Sequence, residues 1–436
     1  MLGAGHVGRT VVQALHEQHD ISVIALDARS LEGLADRFDV RTVQGDGTSR
    51  RVVVKAGAEH ADLLIACSPR EEANLVCAIL VKRLSGAKTV LRSTSMELLE
   101  AWREGELDVD FMVSPELETA NAVAGVVGLP AASRTDVFAD GRVQIVEFDV
   151  PRDLSADKLV GTPLRDADVP RDSKVACILR GGGMIMPRGG ESLEAGDRVV
   201  VIASPESARA WNERLTNRRR ALEDIFIFGA GAMGTTIARV LLERGLRVRI
   251  VDERADRAQD VAEELPDARV FQASGFDRGF LERQRVDEAA AVFCMADDAR
   301  NLFGSVLAKV HGLQLAIALV HDPGSEEVFE RTGINVTVNP RTVTAEEMVR
   351  FAHDPRIRQL AMLERDRFEV LDITVRAESR LCGTPFRELP MTGSLIGAII
   401  RDGTAIFPHG NDMLEPGDRA IIFTESTRVG EVEDAL

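Results

Sequence analysis

No apolar run in this 436-residue chain approaches the roughly 18 residues that a helix needs to cross a bilayer. No charged region followed by a short apolar core opens the sequence either, so neither a membrane span nor a secretory signal is expected and a cytoplasmic protein is. Cysteine is sparse. Cys67, Cys77, Cys177, Cys294 and Cys382 form no C-x-x-C pair, and an odd count suits a reducing compartment with most of them in the core. Positive charge is in deficit, with 53 Lys and Arg against 70 Asp and Glu and a formal net charge of −17. That balance argues against general affinity for nucleic acid, because phosphate binding needs clustered basic side chains. The one basic cluster, Arg218-Arg219-Arg220, reads as a solvated linker. Also missing is any constellation for chemistry: no nucleophile paired with a base, no H-x-x-x-H and no cluster of Cys and His for a metal. His321 and His409 have no neighbouring candidates along the chain. Neither catalysis nor a metal site is expected.

What the chain does have, it has twice. Gly3-Ala4-Gly5-His6-Val7-Gly8 followed by Asp27 returns as Gly229-Ala230-Gly231-Ala232-Met233-Gly234 followed by Asp252, at offsets of 226 and 225 positions. Gly161-Thr162-Pro163-Leu164-Arg165 returns as Gly383-Thr384-Pro385-Phe386-Arg387. Leu193-Glu194-Ala195-Gly196-Asp197-Arg198 returns as Leu414-Glu415-Pro416-Gly417-Asp418-Arg419. A period this long means tandem domains, since solenoid and propeller repeats recur every few tens of residues. The repeating unit is a pair of lobes, so four are expected: residues 1–130, 131–216, 217–360 and 361–436. With 45% hydrophobic and 28% charged residues the composition is that of an ordinary globular chain.

Within each larger lobe, short apolar runs alternate with helical segments. In the first half a helix over Thr10–His19 is followed by strands over Ile21–Leu26, Val40–Gln44, Asp62–Cys67 and Thr89–Arg92, with a helix over Glu71–Leu84. The second half repeats this with Ile225–Phe228, Val248–Val251, Arg269–Gln272, Ala291–Met295 and Ala316–Val320. Such alternation predicts an α/β fold with a doubly wound, Rossmann-like parallel sheet in each larger lobe. Gly128-Leu129-Pro130 marks the first boundary. Beyond it, Val143–Val150, Val175–Arg180 and Arg198–Ala203 predict a small α+β lobe whose counterpart starts near Phe368.

The glycine series is a dinucleotide fingerprint: one glycine for the turn, one for close approach of backbone to a pyrophosphate, one for helix packing. The phosphate then sits at a helix N-terminus, where unpaired N–H groups and the helix dipole favour an anion. Asp27 and Asp252 end the next strands, where an acid accepts hydrogen bonds from a ribose and repels a 2′-phosphate, favouring NAD over NADP. Arg29 and Arg254, two residues further on, could neutralise a phosphate, stack on adenine or be solvated. ATP and ADP fit the same motif through their adenosine and phosphates. Gly45-Asp46-Gly47-Thr48 follows the third strand on the adenine side, and its equivalent, Ala273-Ser274-Gly275-Phe276, has lost the acid. Two sites of unequal ligand preference are therefore expected. His6 is within reach of a ligand from inside the first loop, although its ring is expected to face solvent.

Taken together, Gly3, Gly5, Gly8, Asp27, Gly45-Asp46-Gly47-Thr48, Ser114-Pro115-Glu116 and the two Gly-Thr-Pro segments resemble the TrkA family of Trk potassium uptake regulators, built from regulator of potassium conductance (RCK) domains. The resemblance spans nearly the whole chain. It implies a peripheral cytoplasmic protein, four chains per ring, beneath a Trk-type membrane potassium channel or transporter, with NAD(H) and competing ATP or ADP as effectors. By the same resemblance Gly3, Gly5, His6, Val7, Gly8 and Asp27 hold phosphates and ribose, Asp46 and Thr48 the adenine side, and Arg92 and Glu116 face phosphate or a neighbouring lobe. Gly229, Gly231, Ala232, Met233, Gly234 and Asp252 form the second set, but Asn339-Pro340-Arg341 stands where the first half has Ser114-Pro115-Glu116. The alternatives are an NAD-dependent oxidoreductase and an RCK-type regulator of another cation channel or antiporter. Only Met1 and Leu2 precede Gly3, whereas Asp224–Phe228 precede Gly229, so the first sheet is expected to lack its central strand and to bind more weakly.

Overall fold

The computed structural model describes every residue except 18, 130, 152–158, 216–223, 353–356, 364–366 and 390–392. Arg218-Arg219-Arg220 and Pro130 lie outside the described residues, as do parts of the expected boundaries near 217 and 361. The chain forms two compact units, residues 1–119 with 339–355, and residues 120–338 with 356–436.

The first unit holds the first larger lobe. Helices α1 (His6–Leu15), α2 (Ala28–Ala35), α3 (Arg50–Lys55), α4 (Glu71–Ser85) and α5 (Met96–Arg103) alternate with strands β1 (Ser22–Ala25), β2 (Arg41–Gln44), β3 (Leu63–Ala66), β4 (Lys88–Arg92) and β5 (Phe111–Val113). All paired strands are parallel. No strand occupies the central position, as expected, but Leu2 alone bridges Ile24 of β1 and Ala66 of β3. Its N–H donates to Ile65 O at 2.9 Å, and Cys67 N–H donates back to Leu2 O at 2.8 Å. The order is therefore β2-β1-Leu2-β3-β4-β5, with one residue where a strand would be. The Leu2 side chain is buried in the lobe core with Ile24, Val43 and Leu64. Helix α6 (Pro115–Val127) leaves this lobe, its first five residues counted in the first unit.

The first smaller lobe comprises β6 (Ala132–Phe138), β7 (Val143–Asp149), β8 (Ser173–Arg180), β9 (Gly183–Ile185), β10 (Arg198–Ala203) and α7 (Pro205–Leu215). Its antiparallel sheet runs β6-β7-β10-β8-β9. The second larger lobe comes next: β11 (Asp224–Phe228), α8 (Ala232–Glu243), β12 (Arg247–Asp252), α9 (Ala255–Glu264), β13 (Arg269–Gln272), α10 (Arg278–Arg283), β14 (Ala290–Phe293), α11 (Asp298–Val310), β15 (Leu315–Leu319), α12 (Glu326–Arg331), β16 (Val336–Val338) and α13 (Pro340–Arg350). Its parallel sheet has the order β13-β12-β11-β14-β15-β16, with the direction of winding reversing between β11 and β14. Helix α13 belongs to the first unit, where it packs on α1. The last lobe repeats the small sheet as β17-β18-β21-β19-β20, from β17 (Ile357–Leu363), β18 (Phe368–Thr374), β19 (Ser394–Arg401), β20 (Thr404–Ile406) and β21 (Arg419–Glu425), and ends in α14 (Val429–Ala435).

The two small lobes share one apolar core, in which Ile145, Val200 and Ile202 pack with Val370, Ala398, Ile421 and Phe423. A Cβ at Gly397 would stand 2.2 Å from Ile202 Cδ1, so the two sheets meet without room for a methyl group. The repeated Leu-Glu-x-Gly-Asp segment is explained by this architecture. Asp197, buried, accepts from Arg180 Nε at 2.8 Å and Nη2 at 2.7 Å and from Glu194 N–H at 2.7 Å. Asp418 does the same with Arg401 and Glu415 N–H. The Gly-Thr-Pro turns are tied to these segments, Gly161 N–H donating to Leu193 O and Gly383 N–H to Leu414 O.

Where α6 meets α13 in the first unit, burial and then the Glu347 carboxylate push Glu118 up to about 7, against the pull of Arg350. Arg350 ion-pairs with Glu347 at 2.7 Å and lies over the Phe111 ring. A carboxyl raised in the folded state holds a proton that the unfolded chain has released, so stability falls as pH rises from its ordinary value near 4.5 through 7. Glu118→Gln is expected to flatten that fall by about 1–3 kcal/mol between pH 5 and pH 8. Urea unfolding of both chains at the two pH values measures it, and parallel pH profiles would contradict the assignment.

Candidate functional site

Each glycine series turns from the central strand position into a helix, and its three glycines are needed for different reasons. Gly3 and Gly229 have φ of +114° and +117°, and a Cβ would stand 2.9 Å from Ser68 N and 2.6 Å from Cys294 O respectively. At Gly8 and Gly234 a Cβ would meet the carbonyl oxygen of Gly3 at 2.2 Å and of Gly229 at 1.9 Å, because the first helical turn rests directly on the loop. Gly5 and Gly231 are different. Their φ values of −74° and −81° suit any residue, and a Cβ there would meet nothing within 4 Å. The folded protein makes no demand for glycine at these two positions; a ligand occupying that space would. Both are N-caps without a side-chain cap, and neither α1 nor α8 has an acid in its first turn. The unpaired N–H groups and positive dipole ends therefore open on the same space.

In front of the first loop lies a cavity of about 280 Å³ lined by Gly3, Gly5, Asp27, Ser30, Asp46, Cys67 and Arg70, among others. Asp27 caps α2, accepting from Ser30 Oγ at 2.6 Å and Ser30 N–H at 3.0 Å; these bonds, led by the hydroxyl, hold its carboxyl below the ordinary range. Asp46 accepts from Thr48 N–H and Thr48 Oγ1, each at 2.9 Å, and pairs with Arg70 at 3.2 Å. The Thr48 bonds, then Arg70, keep its pKa low. No motif in the sequence announces Arg70; it stands at the start of α4, 24 residues from its partner. Cys67 is buried behind the loop, its thiol pushed up to about 11 by burial, so it is not a nucleophile.

The other expected residues are placed less directly. His6 is exposed, Val7 is buried, and neither they nor Gly8 are among the cavity-lining residues. Thr48 serves Asp46. Glu116 accepts from Ser114 Oγ at 3.4 Å, and burial raises its pKa against the pull of Arg92. Neither Arg92 nor Glu116 lines the cavity.

The second cavity is larger, about 370 Å³, and its wall includes Gly229, Gly231, Ala232, Met233 and Asp252. Asp252 is turned to the loop, accepting from Ala230 N–H at 2.8 Å and Arg254 N–H at 2.9 Å, where Asp27 is turned to its helix. In place of the Asp46–Arg70 pair, Arg300 bonds Glu253 at 2.9 Å and lies over the Phe276 ring, 5.6 Å from its centroid. Gly234 is packed beneath the loop. Cys294 is half-buried there and lines the cavity, its thiol raised to about 12 by desolvation. His321 corrects the expectation that it has no supporting group. It lines this cavity, and its Nδ1 is 2.8 Å from Asp298 Oδ1. His409 also has a neighbour, Lys174 Nζ at 3.4 Å from its Nδ1. The pairing of His321 with Asp298 links residues 23 positions apart, and no local pattern announces it.

Among the described residues no cluster of three or more His, Cys, Asp or Glu could hold a metal ion, and no helix is long and apolar enough to cross a membrane. The TrkA-N domain model matches residues 1–115 and 225–340, and the TrkA-C domain model residues 152–215 and 370–436. The chain is 29% identical over 440 residues to a Trk system potassium uptake protein TrkA homolog from Archaeoglobus fulgidus, covering 99% of this chain and 98% of that protein. It is 29% identical over 447 residues to Trk system potassium uptake protein TrkA from Azorhizobium caulinodans, covering 99% and 96%. Among solved structures it resembles the GsuK channel, with a TM-score of 0.61 and 16% identity over 100% of this chain and 78% of that one. The GsuK channel bound to NAD matches with a TM-score of 0.58 and 17% identity over the same shares. These likenesses give the fold, a tandem of RCK-type lobes. The chain belongs to the TrkA family, with its TrkA-N and TrkA-C domains each present twice.

Proposed function

We propose that this chain is a nucleotide-responsive regulatory subunit of a Trk-type potassium uptake system, without catalysis of its own. The observation that carries the nucleotide reading is the pair of glycines, Gly5 and Gly231, that the protein's own packing does not require, each at a bare helix N-terminus facing a cavity. NAD(H), ADP and ATP are the ligands, with Asp27 and Asp252 on the ribose and Asp46 on the adenine side of the first lobe. Supporting the partner are the names of the full-length relatives. The subunit acts at the inner face of the plasma membrane as a ring of four chains divided into the lobes 1–130, 131–216, 217–360 and 361–436. For a ligand to switch the pore, the ring must have two states of different nucleotide affinity, because equal binding to both shifts nothing.

Thermal melting with NAD, NADH, ATP, ADP and NADPH in parallel tests the site. At a hundredfold excess over its dissociation constant a ligand stabilises by about 2.7 kcal/mol, which raises the melting temperature of a lobe pair of this size by about 5–10 °C. A flat response to all five removes the reading. Deletion should impair potassium uptake, and a membrane potassium transporter should co-purify with the chain. The oxidoreductase reading has one observation on its side, the Asp298-held imidazole in the second cavity, and requires sustained NADH consumption with a ketone substrate.

A further inference from the structure

One asparagine in each larger lobe fixes how α4 and α11 correspond. Asn74 accepts from Ser68 N–H at 3.1 Å and donates to Arg92 O at 3.1 Å; Asn301 accepts from Met295 N–H at 2.7 Å and donates to Leu319 O at 2.9 Å. All three residues of the second set lie 227 positions after those of the first. By that correspondence Arg70 has Asp297 as its counterpart, and Arg300 has Ala73. The acids differ too, since the motif series sets Asp46 against Ser274 and Glu253 against Ala28. Neither member of the Asp46–Arg70 pair therefore stands where a member of the Glu253–Arg300 pair does.

Both pairs nonetheless make the same bridge. Asp46 follows β2 and Arg70 follows β3, on opposite sides of the central Leu2 position. Glu253 follows β12 and Arg300 follows β14, on opposite sides of β11. The glycine loop leaves the central position of each lobe, so each pair joins the two sides of the crevice, and all four residues line the cavities there. Stability does not account for this. The four side chains are about half exposed and are bonded at 3.2 Å and 2.9 Å, and an ion pair in such a setting contributes at most about 1 kcal/mol. Two lobes that place a weak bridge over the same space, from different positions, share a need set by what occupies that space. A guanidinium suits a flat occupant. In the second lobe it already lies over the Phe276 ring, and a purine offers the same kind of surface.

We propose that Arg70 and Arg300 are clasps: each guanidinium closes over the adenine of a bound nucleotide while its acid holds it from the other side of the crevice, and opening of the ion pair limits release. This rests on the nucleotide reading above and adds what governs how long each lobe keeps its ligand. Because the pairs are exposed, salt weakens them, the screening length falling from about 10 Å at 0.1 M to about 3 Å at 1 M. Nucleotide is then released faster as ionic strength rises, the quantity that potassium uptake itself changes.

The test follows release of radiolabelled ADP, chased with unlabelled ADP, from the full chain with one lobe disabled. Gly5→Asp isolates the second lobe and Gly231→Asp the first. Arg300→Gln and Arg70→Gln should each speed release from their own lobe about tenfold, the size of one partly desolvated guanidinium–ring contact, and leave association within about threefold. Glu253→Gln, which keeps the arginine but not its anchor, should act in the same direction to a smaller extent and add nothing to Arg300→Gln. Raising KCl from about 0.1 M to about 1 M should speed release more steeply from the parent lobes than from the arginine variants. Pyrophosphate, which has no base, should compete with ADP equally well in parent and variant. Release unchanged by either arginine variant overturns the clasp and leaves the nucleotide site standing, as does a parallel loss of pyrophosphate affinity, which would put the guanidinium on phosphate. No ADP binding by either single-lobe chain with its arginine intact removes both.

Discussion

Gly234→Ala is expected to cost the second larger lobe about 3 kcal/mol, at the top of the range for forcing atoms into a packed interior. The added Cβ would lie 1.9 Å from the Gly229 carbonyl oxygen and 3.0 Å from Cys294 Sγ. The first contact is with backbone, so no rotamer change relieves it. Gly229 itself is pinned, its N–H donating to Val251 O at 2.9 Å and its φ of +117° closed to other residues. The helix must therefore back away from β11, and Val240, Ile237 and Leu241, buried on the inner face of α8, lose contact with the sheet. For a unit of roughly 150–250 residues that cost corresponds to about 6–12 °C in melting temperature, and nucleotide binding at this lobe should go with it. Differential scanning calorimetry of Gly234→Ala and of Gly8→Ala, where the clash is 2.2 Å, should find the first the more damaging. A second-lobe transition unmoved by Gly234→Ala would mean that the helix does not rest directly on the loop.

The fold was legible because the glycine loop, the strand after it and its terminal acid form a pattern with a physical cause at each position. The bounds of some strands were legible too, since Arg269–Gln272 and Arg198–Ala203 occur with the limits that their apolar pattern implies. The helix expected from Thr10 begins earlier, at His6, because Gly5 caps it and the loop runs straight into its first turn. Strands β5 and β16 were not visible: three residues show neither alternation nor a run. The site was half legible. Residues that the motif fixes by spacing, Gly5, Asp27, Asp46, Gly231 and Asp252, do line the cavities. Arg70, Arg300 and His321 reach the cavities only because the ends of β3, β14 and β15 open on the same edge of their sheets as the loop, and that placement is made by sheet order rather than by anything local in the chain. The bonds that Asp27 accepts from Ser30 and Asp252 from Ala230 N–H likewise depend on which way each carboxylate turns. Identical letters in the two halves thus conceal two different hydrogen-bond settings.

The second glycine of each loop separates ligand binding from folding, and a double variant uses that separation. In Gly5→Asp/Gly231→Asp both new side chains project into space that no protein atom occupies within 4 Å of the Cβ, on backbone that any residue adopts. An acid at a helix N-cap is favourable in itself, so melting without ligand should stay within about 0.5 kcal/mol of the parent or rise slightly. With nucleotide the outcome reverses. The carboxylate takes the place of the phosphates at the helix N-terminus and repels them, and both steric exclusion and charge act where the dipole had favoured an anion. Affinity should fall at least about a hundredfold at each lobe, roughly 2.7 kcal/mol, and the stabilisation by NAD or ADP should vanish. Potassium uptake in a strain carrying the double variant should then no longer respond to nucleotide, while the chain accumulates normally and still co-purifies with its transporter. Retention of full nucleotide stabilisation by this variant would place the ligand elsewhere, and loss of folding would show that the two glycines are packing residues after all. Comparing the single variants then assigns each share of the response to its lobe. The first lobe, with Asp46 paired to Arg70, and the second, with Arg300 over Phe276, should differ in which nucleotide each loses.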